Sequence, residues 1–330
     1  MINKKKLLGA FIVPTGVGAS IGGFAGDASV WASRFCEISD LIVNPNVVNA
    51  GCFSGIKPGM LYVEGYSLDE FFKGNIGLNP SQHNKIGIVF DKAIPKDVLN
   101  VHINTINAVK CVYGIDIEEF TITKDIVGVD FKLEKNGNST GSVKNIETVI
   151  ESAKYLVNKG CQAIGIVCLF DDAESLNEDY SNGIGVDPVG GVEAIISHCI
   201  SKELKVPCAH SPAFCDYQIS PELIDGRAAS EYITPTFLPC ILLGLDRAPL
   251  LSTDGEININ NLDYLVMPYN SLGSTPVFEC IRRNIPVFAI KENKTVLNVE
   301  NSNLFSSDKI RVFDLYEDCI NYIKQYLVQP

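Results

Sequence analysis

The sequence lacks the short cysteine spacings that hold structural zinc: it has eleven cysteines, but no CxxC pair and no Cys/His cluster of zinc-finger spacing. It lacks an excess of positive charge, with 27 Lys+Arg against 39 Asp+Glu and a formal net charge of −12. Nucleic acids and anionic lipids are held by clustered Lys and Arg, so the composition argues against both as partners. No apolar stretch approaches the roughly 20 residues of a membrane span. No period of about 20–50 residues recurs, which excludes a solenoid. No G-x-G-x-x-G, Walker lysine or H-E-x-x-H is present, so no cofactor and no metal are expected.

What is there suits a folded core: 46% of the residues are hydrophobic and only 20% charged. A length of 330 residues allows one large domain or two ordinary ones. An odd number of cysteines spread along the whole chain reads as reduced thiols in a cytoplasmic protein. The start, Lys4-Lys5-Lys6 before the apolar run 7–13, mimics a signal peptide, but Pro14 ends the run after seven residues and a first β-strand is the better reading.

Short Val/Ile-rich runs alternate with helical stripes, the pattern of an α/β protein with mainly parallel sheets and helices on both faces, compatible with two Rossmann-like lobes. Strands are expected at 7–13, 40–44, 60–63, 86–90, 163–170, 206–209, 237–243, 264–267, 286–290 and 310–313. Helices are expected at Lys96–Tyr113, after Asn145, after Asp187-Pro188 and after Thr275-Pro276. The polar stretch 134–145 either divides the chain into lobes 1–140 and 141–330 or forms a surface hairpin turning at Asn136-Gly137.

Three glycine or hydroxyl turns follow strands. The first carries Thr15, Gly16, Gly18, Ser20 and Gly22; the second is 183–191 with Asp187, Gly190 and Gly191; the third has Gly273, Ser274 and Thr275. Glycine lets main-chain amides approach an anion, and a helix start adds favourable partial charge, so these turns are read as a site for a small anionic metabolite. The competing reading is tight chain packing. Asn44, Asn46 and Asn49 lead to Cys52 and either bind a carboxylate or cap turns. The stretch Pro207-Cys208-Ala209-His210-Ser211-Pro212 looks most chemical, because Cys208 and His210 share one face of a strand and a thiolate–imidazole couple would serve as acid/base or nucleophile. Ser211 joins them as a substrate- or anion-binding residue, and Asp187 is either a third catalytic group or a helix cap. Cys168, Cys240, His102 and His198 read as packing residues, and Asp246-Arg247 as an ion pair or an anion-binding arginine.

The segments PTGVGASIGGFAGDA (14–28), VFDKAIP (89–95), GVDPVGGVEAIISH (185–198), PCAHSPA (207–213) and IPVFAIKENKTVL (285–297) resemble an uncharacterised bacterial family, common in cyanobacteria and of unknown function. The resemblance spans nearly the whole chain and implies one integrated unit. The turn at 44–46 and the passage 156–168 are similar to the aspartate/glutamate racemase superfamily, which moves a proton beside a carboxylate with two cysteines; Cys168 falls at one such position, followed by Leu169-Phe170 instead of Asn-Thr. GSTPVFECIRRNIPVFAI (273–290) resembles the nucleotide-binding segment of two-lobed glycosyltransferases. The expectation is therefore an isomerase, racemase or lyase, with a nucleotide-dependent transferase or a non-catalytic metabolite-binding protein as alternatives, and self-association into a homo-oligomer left open.

Overall fold

The computed structural model describes residues 6–170, 180–215, 219–304 and 308–328. Six parallel strands form the larger sheet: β1 (Leu7–Phe11), β2 (Ser39–Val43), β3 (Met60–Tyr62) and three that arrive late in the chain. A smaller parallel sheet is built from the middle of the chain, from β4 (Ile86–Phe90), β5 (Ile117–Ile122), β8 (Ala163–Leu169) and β9 (Cys208–Ala213). Between β5 and β8 lies an antiparallel hairpin, β6 (Val129–Leu133) with β7 (Ser139–Val143). The chain then returns to the larger sheet through β10 (Tyr264–Pro268), β11 (Val287–Ile290) and β12 (Ile310–Phe313). The orders are β12-β11-β10-β1-β2-β3 and β9-β8-β4-β5.

Helices cover both sheets: α1 (Ser29–Cys36), α2 (Gly65–Lys73), α3 (Lys96–Tyr113), α4 (Ile146–Asn158), α5 (Gly190–Leu204), α6 (Leu238–Asp246), α7 (Thr275–Arg282) and α8 (Tyr316–Tyr326). The protein is thus α/β with two parallel sheets. Strands β1, β4, β10 and β11 are buried almost throughout, as strands covered on both faces must be. The stretch 134–138 is the tip of the β6–β7 hairpin, closed by Glu134 N–H donating to Asn138 O. Each sheet draws strands without regard to residue 140: the larger takes 7–62 and 264–313, the smaller 86–213.

One expected strand is a helix. The run 237–243 lies largely in α6, whose Leu238, Cys240, Ile241, Leu242 and Leu245 are all buried. A helix buried all round has no polar stripe, so its apolar run looks like a core strand. Pro239 was the available signal, since a proline fits a first helical turn and is foreign to a central strand. The hairpin reading of 134–145, turning at Asn136-Gly137, is the one the structure shows, whereas the edge strand β5 is not signalled because half its residues face solvent.

Tyr264 locks the centre of the larger sheet. It pairs in register with Gly9, its ring lies where a Cβ on Gly9 would stand 2.3 Å from ring carbon Cζ, and its hydroxyl sits 2.5 Å from Ser39 Oγ on β2. Only glycine admits that fully buried ring. Gly9→Ala is therefore expected to lower stability by about 1–3 kcal/mol or more through overpacking; a urea midpoint equal to wild type would contradict this placement.

Candidate functional site

The larger sheet reverses its strand order between β1 and β10, and the crevice outside the strand ends at such a point is where open α/β sheets bind ligands. Here it widens into a cavity of about 750 Å³. Ile12, Pro14 and Thr15 follow β1, Asn44 and Asn46 follow β2, Glu64 follows β3, and Met267 and Ser274 come from β10 and its turn. The opposite wall belongs to the smaller sheet and its cover: His210 of β9, and Glu193, Ser197 and His198 of α5. Tyr180, Asp187, Glu231 and Asp69 add to the polar lining. The volume suits a small organic molecule.

Three groups of main-chain donors around this cavity are already occupied by the chain's own carboxylates. At the start of α5, Val189 N–H donates to Asp187 Oδ1 at 3.0 Å, and the Gly190 amide also reaches that carboxylate. At the start of α2, Glu64 accepts from Tyr66 N–H (2.9 Å) and Ser67 N–H (2.7 Å), with the Ser67 hydroxyl adding a third bond. In the first glycine turn, Asp27 accepts from the amides of Gly22 and Phe24. Helix starts favour negative charge, and each of these has been given one internally.

The glycines of the turns answer to packing. A Cβ on Gly16 would meet Ser139 Oγ at 2.5 Å, one on Gly191 would meet Ser139 O at 2.3 Å, and Ser139 N–H donates to Gly16 O. The two turns thus clasp the hairpin strand β7 between them. Gly18 faces Val186 and Val296, Gly273 faces Val299, and Gly190 makes room for the Asp187 carboxylate. Ser20 is tied to Lys294 by paired main-chain and hydroxyl bonds. Asn44 bridges β1 and β2 by bonding both Val13 N–H and Val13 O, and Asn46 donates to Pro14 O, so both line the cavity with side chains tied to the main chain. Thr275 hydrogen-bonds Asp69.

Of the residues singled out for chemistry, His210 and Asp187 reach the cavity, together with Thr15, Gly190 and Ser274. Cys208 does not. It is 1% exposed within the core below α5, and burial pushes its thiol well above the ordinary value, so it offers no thiolate. Ser211 is equally buried, its hydroxyl donating to Pro212 O. Cys168 is a core residue with a thiol raised by burial, which removes the two-cysteine arrangement. Asp246 pairs with His83 at 3.3 Å instead of Arg247.

Sequence reasoning missed the acidic groups. His210 Nδ1 lies 3.0 Å from Ser197 Oγ, and the Ser197 hydroxyl is 3.3 Å from the carbonyls of Glu193 and Ala194. With that hydroxyl donating to a helix carbonyl, Nδ1 carries the imidazole hydrogen and Nε2 keeps its lone pair. Nε2 lies 3.7 Å from Glu193 Oε2. Burial, helped by His198, lowers the His210 pKa to about 3, so the ring is neutral. Glu193 is 5% exposed, with Oε1 lacking any hydrogen-bond partner, and burial, then Asp187 and Glu231, hold its carboxyl far above the usual range. Glu231 is raised to about 8 by burial and by Asp187, against the hydrogen bond from Tyr180 OH, and Asp27 is raised to about 6, chiefly by burial. His198, read as a packing residue, lies across the start of α2 with Nε2 3.7 Å from Glu64 Oε2; a Cβ on Gly65 would stand 2.3 Å from it. The signal available in sequence was spacing: Glu193 and Ser197, four apart, share the face of α5 that His198 adjoins.

The chain matches the family model described as a protein of unknown function, DUF3326, over residues 9–324, and it belongs to that family. A protein of Synechococcus sp. described as an uncharacterized lipoprotein is 36% identical over 312 residues, covering 91% of this chain and 86% of that relative. No solved structure matches it. Among the described residues no helix is long and apolar enough to cross a membrane.

The raised carboxyls make stability depend on pH in a defined direction. Glu231 ionises in the unfolded chain near 4.5 but in the fold near 8, so over that range the folded state holds the extra proton and stability falls as pH rises. His210 acts oppositely, between about 3 and 6.5, where the unfolded chain holds more protons. Above pH 6.5 the carboxylates act alone. The melting temperature should therefore fall from pH 6.5 to 8, and Glu231→Gln should flatten that slope and melt higher at pH 8; an unchanged slope in the variant would contradict the assignment.

Proposed function

We propose that this member of the DUF3326 family is an enzyme that moves a proton on a small polar metabolite, of the isomerase, racemase or lyase class, with Glu231 and the Glu193–His210 pair as its acid–base groups. The observation that carries the reading is that one cavity is lined by the Glu193 carboxyl, by His210, which is hydrogen-bonded to Ser197 with Nε2 3.7 Å from Glu193 Oε2, and by a second acid, Glu231, whose pKa is raised to about 8. Groups with environments that push their pKa values apart are the usual acid/base assignments in such sites. A carbon-bound proton of the substrate passes to a Glu231 carboxylate oxygen, and the protonated Glu193 carboxyl returns one; His210 Nε2 faces that carboxyl at 3.7 Å. No electrons leave the substrate and no co-reactant is consumed. The anion-cradling role first expected of the glycine turns has little support, because Asp27 and Asp187 take amides of the first two and Gly273 of the third packs against Val299. The nucleotide-dependent alternative loses Gly16, Gly18 and Gly273 to packing contacts. We place the reaction in the cytoplasm, a reading supported by eleven free cysteines.

Proton abstraction is detectable without knowledge of the product, by carbon-bound hydrogen exchange in D2O followed by NMR across small amines, amino acids and hydroxy acids. The protein should exchange at least one member, Glu231→Gln should slow it by about 10²–10⁴-fold, and Cys208→Ala should leave it unchanged. Exchange indifferent to Glu231→Gln would remove the mechanism. A molecule that raises the melting temperature without exchanging, alongside silence across the panel, would mark a binding protein instead.

A further inference from the structure

The cavity's charges name the class of its guest. Asp187, Glu193 and Glu231 line it with Glu64 and Asp69, and among the described residues no Lys or Arg does. An ionised carboxylate removed from water costs several kcal/mol unless a cation accompanies it. Glu64 is satisfied by the amides of α2 and Asp187 by those of α5. Glu193 is different: it is more than nine-tenths buried, it lines the cavity, and its Oε1 has no partner. That is an acceptor waiting for a donor. Among the described residues no three His, Cys, Asp or Glu side chains converge with metal-binding geometry. Aromatic rings of Phe24, Tyr180 and Phe237 share the lining, and ring faces attract alkylammonium and guanidinium groups.

We propose that the cavity binds an organic cation, a substrate whose ammonium or guanidinium group is seated between Glu193 and Glu231 and whose carbon skeleton lies against the aromatic wall. This deepens the acid–base reading by naming its substrate class, and so rests on that reading's site. The groups facing the two glutamates are Asp187 and His210 around Glu193, and Asp187, Asp27 and the Tyr180 phenol around Glu231. All but the neutral imidazole and phenol are acids, so an arriving cation takes the place of the proton that Glu231 holds when the cavity is empty and leaves it the carboxylate that abstracts, while Glu193 keeps its proton and receives an N–H of the guest at the unpartnered Oε1.

The probe is n-butylammonium, with butyrate and butan-1-ol as controls of equal length. Calorimetric titration at pH 7.5 in two buffers of different ionisation enthalpy gives affinity and proton balance together. The expected result is that n-butylammonium binds, that the complex releases protons, that butyrate and butan-1-ol bind at least tenfold more weakly, and that Glu193→Gln with Glu231→Gln weakens the amine at least tenfold. Butyrate binding as well as the amine, proton uptake, or an amine affinity untouched by the double substitution would overturn the proposal. Should the double variant fail to fold, the comparison of amine with butyrate on the wild-type protein decides alone. Amine binding with proton release, in a protein silent in the D2O assay, would leave this inference standing and remove the catalytic one; exchange on a substrate without a cationic group would do the reverse.

Discussion

Three clusters of main-chain donors around the cavity are met by carboxylates from the chain itself, and the character of the site follows from that constraint. A helix start or a glycine-rich turn presents amides and partial positive charge, which in many α/β proteins attract a phosphate or carboxylate from outside. Here Asp187 closes the start of α5, Glu64 closes α2, and Asp27 closes the first glycine turn. The surroundings are consequently rich in acids, and those without amides, Glu193 and Glu231, retain protons to avoid buried charge.

The two-sheet architecture brings these groups together. The smaller sheet is inserted between β3 and β10, so the chain leaves the larger sheet on one side of its switch point and returns on the other. The strand ends of β1, β2, β3 and β10 then face the edge strand β9 and its covering helix α5. The hairpin contributes by contact: Ser139 of β7 wedges between the turns at Gly16 and Gly191, fixing the first turn against the start of α5. Gly65 similarly allows His198 to rest over the start of α2.

Much of this fold was legible in the sequence because buried parallel strands are continuous apolar runs and well-capped helices show a stripe. Helix α3 begins and ends where its pattern does, at Lys96 and Tyr113. Helix α6 was illegible as a helix because it is apolar on every side. At the site, the sequence pointed to His210, Asp187 and the glycine turns but assigned the glycines the wrong neighbour: backbone approach was needed by the hairpin strand and by the protein's own acids. Glu193 and Glu231 carry no local signal of their role, since one is an ordinary helix glutamate by pattern, and the other follows no motif. Only the fold sets them in one cavity and buries Glu193. Cys208 and His210 share a strand face as expected, yet one ends in the core and the other at the cavity wall, a distinction that alternation along a strand does not encode.

The most direct test of internal capping is thermal melting in phosphate against chloride at equal ionic strength, for wild type and for Asp187→Ala. Phosphate stabilises most folded proteins slightly by exclusion from their surface, so the readout is the difference between the two proteins. If Asp187 already fills the start of α5, phosphate should recover part of the stability lost in the variant while giving wild type only the general increment. A wild-type gain from phosphate as large as the variant's would show that those amides are open to an outside anion, and the account of the cavity would fail.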